Sequence, residues 1–306
     1  MKKTDFFIIG APKSGTTSLC NYLDQHPDIC ISNPKEPDYF GSDLLKPDKP
    51  KTKEEYLSCF KGGSTEQLWG EGSTIYWLSQ KAPQEIYDFN PQAKIIVMLR
   101  EPVSLLYSLH SQLIFDLHED ITDFKLALEA EKERKQGKKI PPKCRRLNLL
   151  FYSEVVHFTD HLKRYLNVFG SNKVKIIIFD DFVKDTANVY RETLDFLSVN
   201  SNFQPSFNIY NANKTISNFT LYQFFRDPPP WIFAMGRMVT PSCLVKYRRK
   251  LGWNFIKTQK LLTPNKSRSP LDPELYQQLQ YKFEKEVNKL SCLLERDLSE
   301  WKSRQE

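Results

Sequence analysis

The chain has 306 residues, 40% hydrophobic and 26% charged, enough to bury a substantial core as one large α/β domain or two smaller ones. No apolar stretch approaches the ~20 residues that cross a bilayer. Residues 1–5 run straight into the first apolar run without room for a secretory leader, so the expected compartment is the cytoplasm. The net charge of +7 is moderate, and no aromatic-interleaved basic strand accompanies it, which weighs against nucleic acid as a partner.

In chain order, the apolar run at residues 6–9 predicts a short buried strand, and Leu19, Tyr22 and Leu23 mark one face of a helix over 16–25. Between them lies Gly10-Ala11-Pro12-Lys13-Ser14-Gly15-Thr16-Thr17. A strand feeding a helix through a Gly- and hydroxyl-rich turn aims unpaired backbone N–H groups and the positive end of a helix dipole at one point, so an anion is expected there. Gly10 and Gly15 have the separation of a nucleotide-hydrolase loop, but Thr16 follows Gly15 where that loop needs Lys, and the lysine sits earlier, at Lys13.

Further strands are predicted at 94–99 and 174–179, and further helices at 103–117, 123–136, 154–169, 186–197 and 273–301. The alternation implies a central, mainly parallel sheet with helices on both faces. The whole chain reads as a single domain, residues 1–306, with an irregular segment at about 200–265 that forms an insertion or a lid. Residues 131–146 carry eight basic side chains and residues 246–250 form a second basic cluster, either of which suits an anionic partner. The six cysteines are scattered, with no C-x-x-C pair, and read as free thiols. Asn213, Asn218 and Asn265 begin formal glycosylation triplets, a pattern common by chance.

Pro12-Lys13-Ser14-Gly15-Thr16-Thr17 after a strand resembles the 5′-phosphosulfate loop of sulfotransferases that use 3′-phosphoadenosine 5′-phosphosulfate (PAPS). Members of that family carry, at the end of a later strand, an Arg followed eight residues on by a Ser, which together hold the 3′-phosphate. Arg100 and Ser108 match that spacing. Lys266, Ser267 and Arg268, before the last helix, resemble the K-x-R loop that closes over the cofactor phosphates in carbohydrate-type members. The resemblance implies a P-loop-like three-layer fold, with Lys13, Ser14, Gly15, Thr16, Thr17 and Ser18 on the 5′ side, Arg100 and Ser108 on the 3′-phosphate, and no required metal. It also implies in-line transfer of a sulfuryl group to a hydroxyl of a carbohydrate acceptor, a polyanionic glycan among the candidates, with 3′-phosphoadenosine 5′-phosphate (PAP) as product. Golgi anchoring of many such enzymes makes a trimmed lumenal domain the alternative to the cytoplasm.

Lys13 then neutralises charge on the leaving phosphate. The run Lys35-Glu36-Pro37-Asp38-Tyr39-Phe40 resembles a segment of glycosaminoglycan sulfotransferases with a Glu four residues before a Phe, which makes Glu36 the candidate base. His118 is the second candidate, whereas His26 reads as a cap, and His157 and His161 as structural; His110 follows the Arg-Ser motif, within reach of an acceptor. The chain departs from the heparan branch at Glu71-Gly72-Ser73-Thr74-Ile75-Tyr76, where Gly72 replaces a Lys that contacts the sulfuryl region; Ser73 and Tyr76 remain candidates to line the site. Two other readings are a kinase with an atypical phosphate loop, using ATP and magnesium with Asp180 and Asp181 as its acidic strand end, and a non-catalytic polyanion-binding module.

Overall fold

Five short strands lie side by side and all parallel: β1 (Phe6–Gly10), β2 (Ile29–Ile31), β3 (Leu68–Glu71), β4 (Lys94–Leu99) and β5 (Val174–Ile178), in the order β2-β3-β1-β4-β5. The computed structural model describes residues 2–44, 49–208, 219–226 and 269–303. The helices that follow are α1 (Thr16–Leu23), α2 (Lys53–Leu57), α3 (Ala82–Phe89), α4 (Pro102–Phe115), α5 (Phe124–Glu129), α6 (Glu131–Arg134) and α7 (Tyr152–Val155). After them come α8 (Phe158–Phe169), α9 (Phe179–Lys184), α10 (Thr186–Leu197), α11 (Phe219–Arg226), α12 (Pro273–Leu294) and α13 (Glu300–Ser303).

Strand side chains alternate between the two faces of a sheet, and here both faces are apolar. Phe6, Ile8, Ile96, Met98 and Ile177 pack with Leu19, Tyr22 and Leu23 of α1 and with Val189, Tyr190 and Leu194 of α10. Phe7, Ile9, Ile95, Val97 and Leu99 pack on the other side with α4, α8 and α12, through Leu105, Leu109, Leu162, Tyr165, Phe283 and Val287. The result is the three-layer α/β fold the alternation predicts, with β1 in the middle of the sheet.

Differences from the expected elements have local causes. β2 and β3 are three and four residues long, and Leu68-Trp69-Gly70-Glu71 mixes Gly and Glu into a strand held by its neighbours, so neither stands out as an apolar run. β5 stops at Ile178, because Phe179 already opens α9. The helix expected over 154–169 is interrupted at Val156 and His157, and that expected over 123–136 is two short helices joined at Ala130. The one expected over 273–301 ends at Leu294, where Glu295 turns left-handed at φ 50° and its N–H bonds back to the last turn, before α13 resumes at Glu300.

One join matters for the site. Glu101, fully buried, caps α4 by accepting from the N–H groups of Val103 (2.8 Å) and Ser104 (2.7 Å), and the Tyr276 hydroxyl of α12 donates to the same carboxylate at 3.2 Å. The residue before this cap, Arg100, is thereby fixed at the C-terminal end of β4.

Candidate functional site

β1 and β4 pair in register from Phe6 to Ile8, and the register shifts before Gly10, so the chain leaves the sheet as the loop begins. Ala11 N–H donates to the Met98 carbonyl at 2.6 Å, which ties that loop to β4. Gly15 caps α1 at φ 90°, where L side chains are strained, and a Cβ there would lie 3.1 Å from the Phe179 ring. Lys13 is also left-handed, at φ 61°. Its carbonyl accepts from the Arg100 guanidinium at 3.2 Å, and that guanidinium lies over the Phe179 ring, 4.7 Å from the centroid. The Lys13 ammonium donates to Gln112 Oε1 at 3.1 Å, while Gln112 Nε2 donates to Asp116 at 2.7 Å. The loop, the N-terminus of α1, Lys13 and Arg100 therefore meet outside the carboxyl ends of two neighbouring central strands, where open α/β sheets bind ligands.

The segment after β2 brings in a further cation. Lys35 Nζ donates to the hydroxyls of Thr16 and Thr17, each at 3.4 Å, and to Glu36 Oε1 at 3.2 Å. Its stem lies against Gly72: a Cβ on Gly72 would come within 2.6 Å of both Lys35 Cε and Cys20 Sγ. Burial works against this ammonium, while Cys20 and Glu36 work for it, and the balance holds it above the ordinary lysine value. Burial also pushes the Cys20 thiol up to about 11, so at neutral pH the charged partner is Glu36.

Glu36 is pinned from its other side by Arg146 at 3.3 Å, and Arg146 also reaches Asp38 at 3.0 Å. Burial raises the Glu36 carboxyl, but Lys35 and Arg146 outweigh it and hold the group below its ordinary value. It is ionised at neutral pH and already accepting hydrogen bonds, including one from Thr74 at 3.4 Å. Glu36, Asp38, Asp116, His118, Arg145 and Arg146 line a cavity of about 810 Å³ beside the loop. Burial keeps His118 below the usual histidine value, and its Nδ1 lies 3.3 Å from the Lys143 carbonyl.

No family model matches the chain. A solved sulfotransferase from Alicyclobacillus acidocaldarius superposes with a TM-score of 0.71 at 27% identity, covering 98% of this chain and 99% of that one. The chain is a relative of the sulfotransferases. Among curated proteins it is 28% identical to the bifunctional heparan sulfate N-deacetylase/N-sulfotransferase 1 of Caenorhabditis elegans over 58% of this chain. It is also 31% identical to carbohydrate sulfotransferase 15 of Mus musculus over 39% of this chain. The matches span only 20% and 30% of the length of those two proteins.

In this sulfotransferase relative, Lys13, Gly15, Thr16 and Thr17 lie in one turn that Arg100 contacts through the Lys13 carbonyl, and Ser14 is buried in the same turn, its hydroxyl 3.4 Å from the Pro12 carbonyl. Ser18 lies in the first turn of α1, and Ser108 is buried on α4, the helix that begins two residues after Arg100. Glu36 and His118 share one cavity. Lys266, Ser267 and Arg268, the asparagines of the three glycosylation triplets, the 246–250 cluster and most of the expected lid lie outside the described residues.

The other histidines are engaged in structure. His26 bonds to the Asn200 carbonyl and the Asp28 N–H, His110 to the Ile121 carbonyl, and His161 to the Glu154 carbonyl. Asp180 accepts from the Trp301 indole at 2.9 Å and Asp181 is clasped by Arg296 at 2.5 and 2.8 Å, so the acids of the kinase reading tie α9 to the C-terminal segment. Ser73 and Tyr76 are buried and hold the acidic segment in place: the Ser73 hydroxyl accepts from the Asp38 N–H at 3.1 Å and the Tyr76 hydroxyl from the Phe40 N–H at 3.1 Å. The basic run at 131–146 is partly neutralised from within: Arg134 forms a buried pair with Glu119 at 2.6 Å, Lys135 reaches Glu131 and Glu154, Lys139 reaches Glu133, and Arg146 belongs to the cavity. Sequence reasoning passed over Arg146, Gln112, Phe179 and the role of Lys35, although Lys35 stands directly before the predicted Glu36.

Proposed function

We propose that the protein is a PAPS-dependent sulfotransferase that moves a sulfuryl group to an acceptor hydroxyl on a carbohydrate. The observation that carries this reading is the contact of Arg100 with the Lys13 carbonyl at 3.2 Å, which joins two motifs 87 residues apart in sequence. Each motif implies one end of the same bisphosphate: Lys13 with the N-terminus of α1 for the 5′ group, Arg100 with Ser108 for the 3′-phosphate. A guanidinium held over the Phe179 ring and bonded to the Lys13 carbonyl has its N–H fork restrained, which suits a phosphate better than a mobile lysine does.

In this reading the acceptor occupies the cavity at Glu36. Its hydroxyl oxygen attacks sulfur in line with the bond to the 5′-phosphate, Lys13 and the helix N–H groups stabilise the charge that develops on the leaving oxygen, and Glu36 accepts the proton. The Alicyclobacillus sulfotransferase, matched along nearly its whole length, supports the reaction class, and the heparan sulfate and carbohydrate sulfotransferases support the carbohydrate acceptor. Lys49, Lys143, Arg145, Arg146 and Arg226 outnumber Glu36, Asp38 and Asp116 in the cavity lining, which favours an acidic glycan. The free thiols of Cys20, Cys30, Cys59, Cys144 and Cys292 fit a reducing compartment, and among the described residues no helix is long and apolar enough to cross a membrane.

Calorimetric binding of PAP, AMP and ATP with magnesium to the wild type and to Arg100→Ala tests the donor. Tight binding of the bisphosphate, lost in Arg100→Ala, is expected. Preference for ATP with magnesium would move the protein to the kinases, and no nucleotide binding at all would leave a binding module.

A further inference from the structure

A lysine ammonium aimed at the amino end of a helix is electrostatically misplaced, because that end carries about half a positive charge. Lys35 nevertheless places its Nζ 3.4 Å from the hydroxyls of both Thr16 and Thr17, the first two residues of α1. The placement is built in. The Lys35 carbonyl accepts from Gly72 N–H at 3.0 Å and from the Ser32 hydroxyl at 3.0 Å, and the stem runs through a slot that only a residue without Cβ at position 72 leaves open. Its side chain is 22% exposed, so the ammonium faces the loop and Glu36 more than solvent. Such an arrangement is favourable when an anion lies against both the ammonium and the helix end, with Glu36 balancing the charge while the site is empty.

The sheet order gives the geometry its sense. β1 lies between β3 and β4; the loop after β1 sends the Lys13 ammonium toward Gln112 on the helix that follows β4, and is approached from the β3 side by Lys35, held at Gly72. We propose that Lys35 is the second cation of the donor site and binds the 5′-phosphate of PAPS from the side opposite Lys13. This deepens the sulfotransferase reading and rests on it. As the acceptor oxygen forms its bond to sulfur, the bond from sulfur to the 5′-phosphate oxygen breaks and its electron pair stays on that oxygen. The acceptor proton passes to Glu36. Lys35 stabilises the phosphate that carries the electron pair away, and in turning to it relinquishes Glu36, whose carboxyl then rises toward its ordinary value and becomes the stronger base.

The test needs no acceptor. Calorimetry compares PAP, which carries both phosphates, with adenosine 3′-phosphate, which lacks the 5′ group, on wild type, Lys35→Gln and Gly72→Ala. Lys35→Gln removes the charge with a side chain one atom shorter that still carries a hydrogen-bond donor, while Gly72→Ala puts a methyl within 2.6 Å of Cε and drives the ammonium out of its slot. Both variants are expected to bind PAP about 10–100-fold more weakly, the value of one charge-assisted hydrogen bond, and adenosine 3′-phosphate within about 2-fold of wild type. The second ligand also reports that each variant is folded. Unchanged PAP affinity in Lys35→Gln, or equal loss of both ligands in the two variants, overturns the assignment of Lys35 while leaving the donor reading standing. A wild type that binds no bisphosphate overturns both.

Discussion

The two halves of the site are held by different forces. The loop between β1 and α1 is shaped by main chain: a strand in the middle of the sheet, a left-handed Gly15, an N–H to Met98 and a carbonyl held by Arg100. The cavity beside it is shaped by charge, with Arg146 bridging Glu36 and Asp38 across loops that lie 110 and 108 residues apart in sequence. A main-chain site is rigid and indifferent to pH, whereas one made of ion pairs between loops responds to protons, to salt and to whatever charge its ligand brings.

The largest effect is expected from breaking the main-chain half. Gly15→Val combines a left-handed φ, about 1–2 kcal/mol of strain, with a contact to the Phe179 ring, and should weaken PAP binding on the order of 100-fold or more by calorimetry. Arg146→Ala breaks the other half. The pair is 31% exposed on the arginine side, so the loss of stability is discounted to about 1–2 kcal/mol in urea unfolding, with PAP affinity kept within about 3-fold. In the same variant the Glu36 carboxyl, followed by carbon NMR, should titrate higher than in wild type, because the second of its two cations is gone. A fall in PAP affinity as large as that of Gly15→Val would show that the halves are one unit.

Acid separates the halves in wild type. The Glu36 carboxyl is depressed when folded, so its contribution is fully present above the ordinary carboxyl value of 4.5 and is lost as pH falls through the lower folded value. The scaffold gives way over a different window. Burial lowers His161 from 6.5 to about 4, so the unfolded chain takes up a proton that the folded chain refuses, and stability declines as pH falls between those values, by at most ~1.4 kcal/mol per pH unit. Urea unfolding at a series of pH values should show that slope, and His161→Phe should flatten it. The smallest effect is expected outside both halves: Lys139→Ala removes a pair whose side chains are 54% and 43% exposed and should change stability by less than about 0.5 kcal/mol.

The same contrast decides how much could be read from the sequence. The loop was legible because its geometry is local: a strand, a Gly at fixed spacing, hydroxyls and a helix face follow one another along the chain, and Arg100 announces itself at the end of an apolar run. The three-layer fold was legible for the same reason, through β1, β4 and β5. The cavity was legible only in part. Glu36 and His118 were named one at a time, but no local pattern says that Arg146, at the end of a basic run, turns inward to bridge Glu36 and Asp38, or that Phe179 leaves its strand to lie under Arg100. Those placements come from long loops meeting in space. Gly72, read as a missing cation, is a gap occupied by the stem of Lys35.

That occupied gap links two positions in the history of the chain. With 2.6 Å from a Cβ at residue 72 to both the Lys35 stem and Cys20 Sγ, a side chain at 72 requires both to give way, and shortening Lys35 first leaves the loop with one ammonium fewer. Any single step therefore passes through a poorer protein. Substitutions at 35 and 72 are expected to be epistatic, each harmful alone, and a library that varies the two together with Cys20 will reach active sequences that one varying a single position will miss.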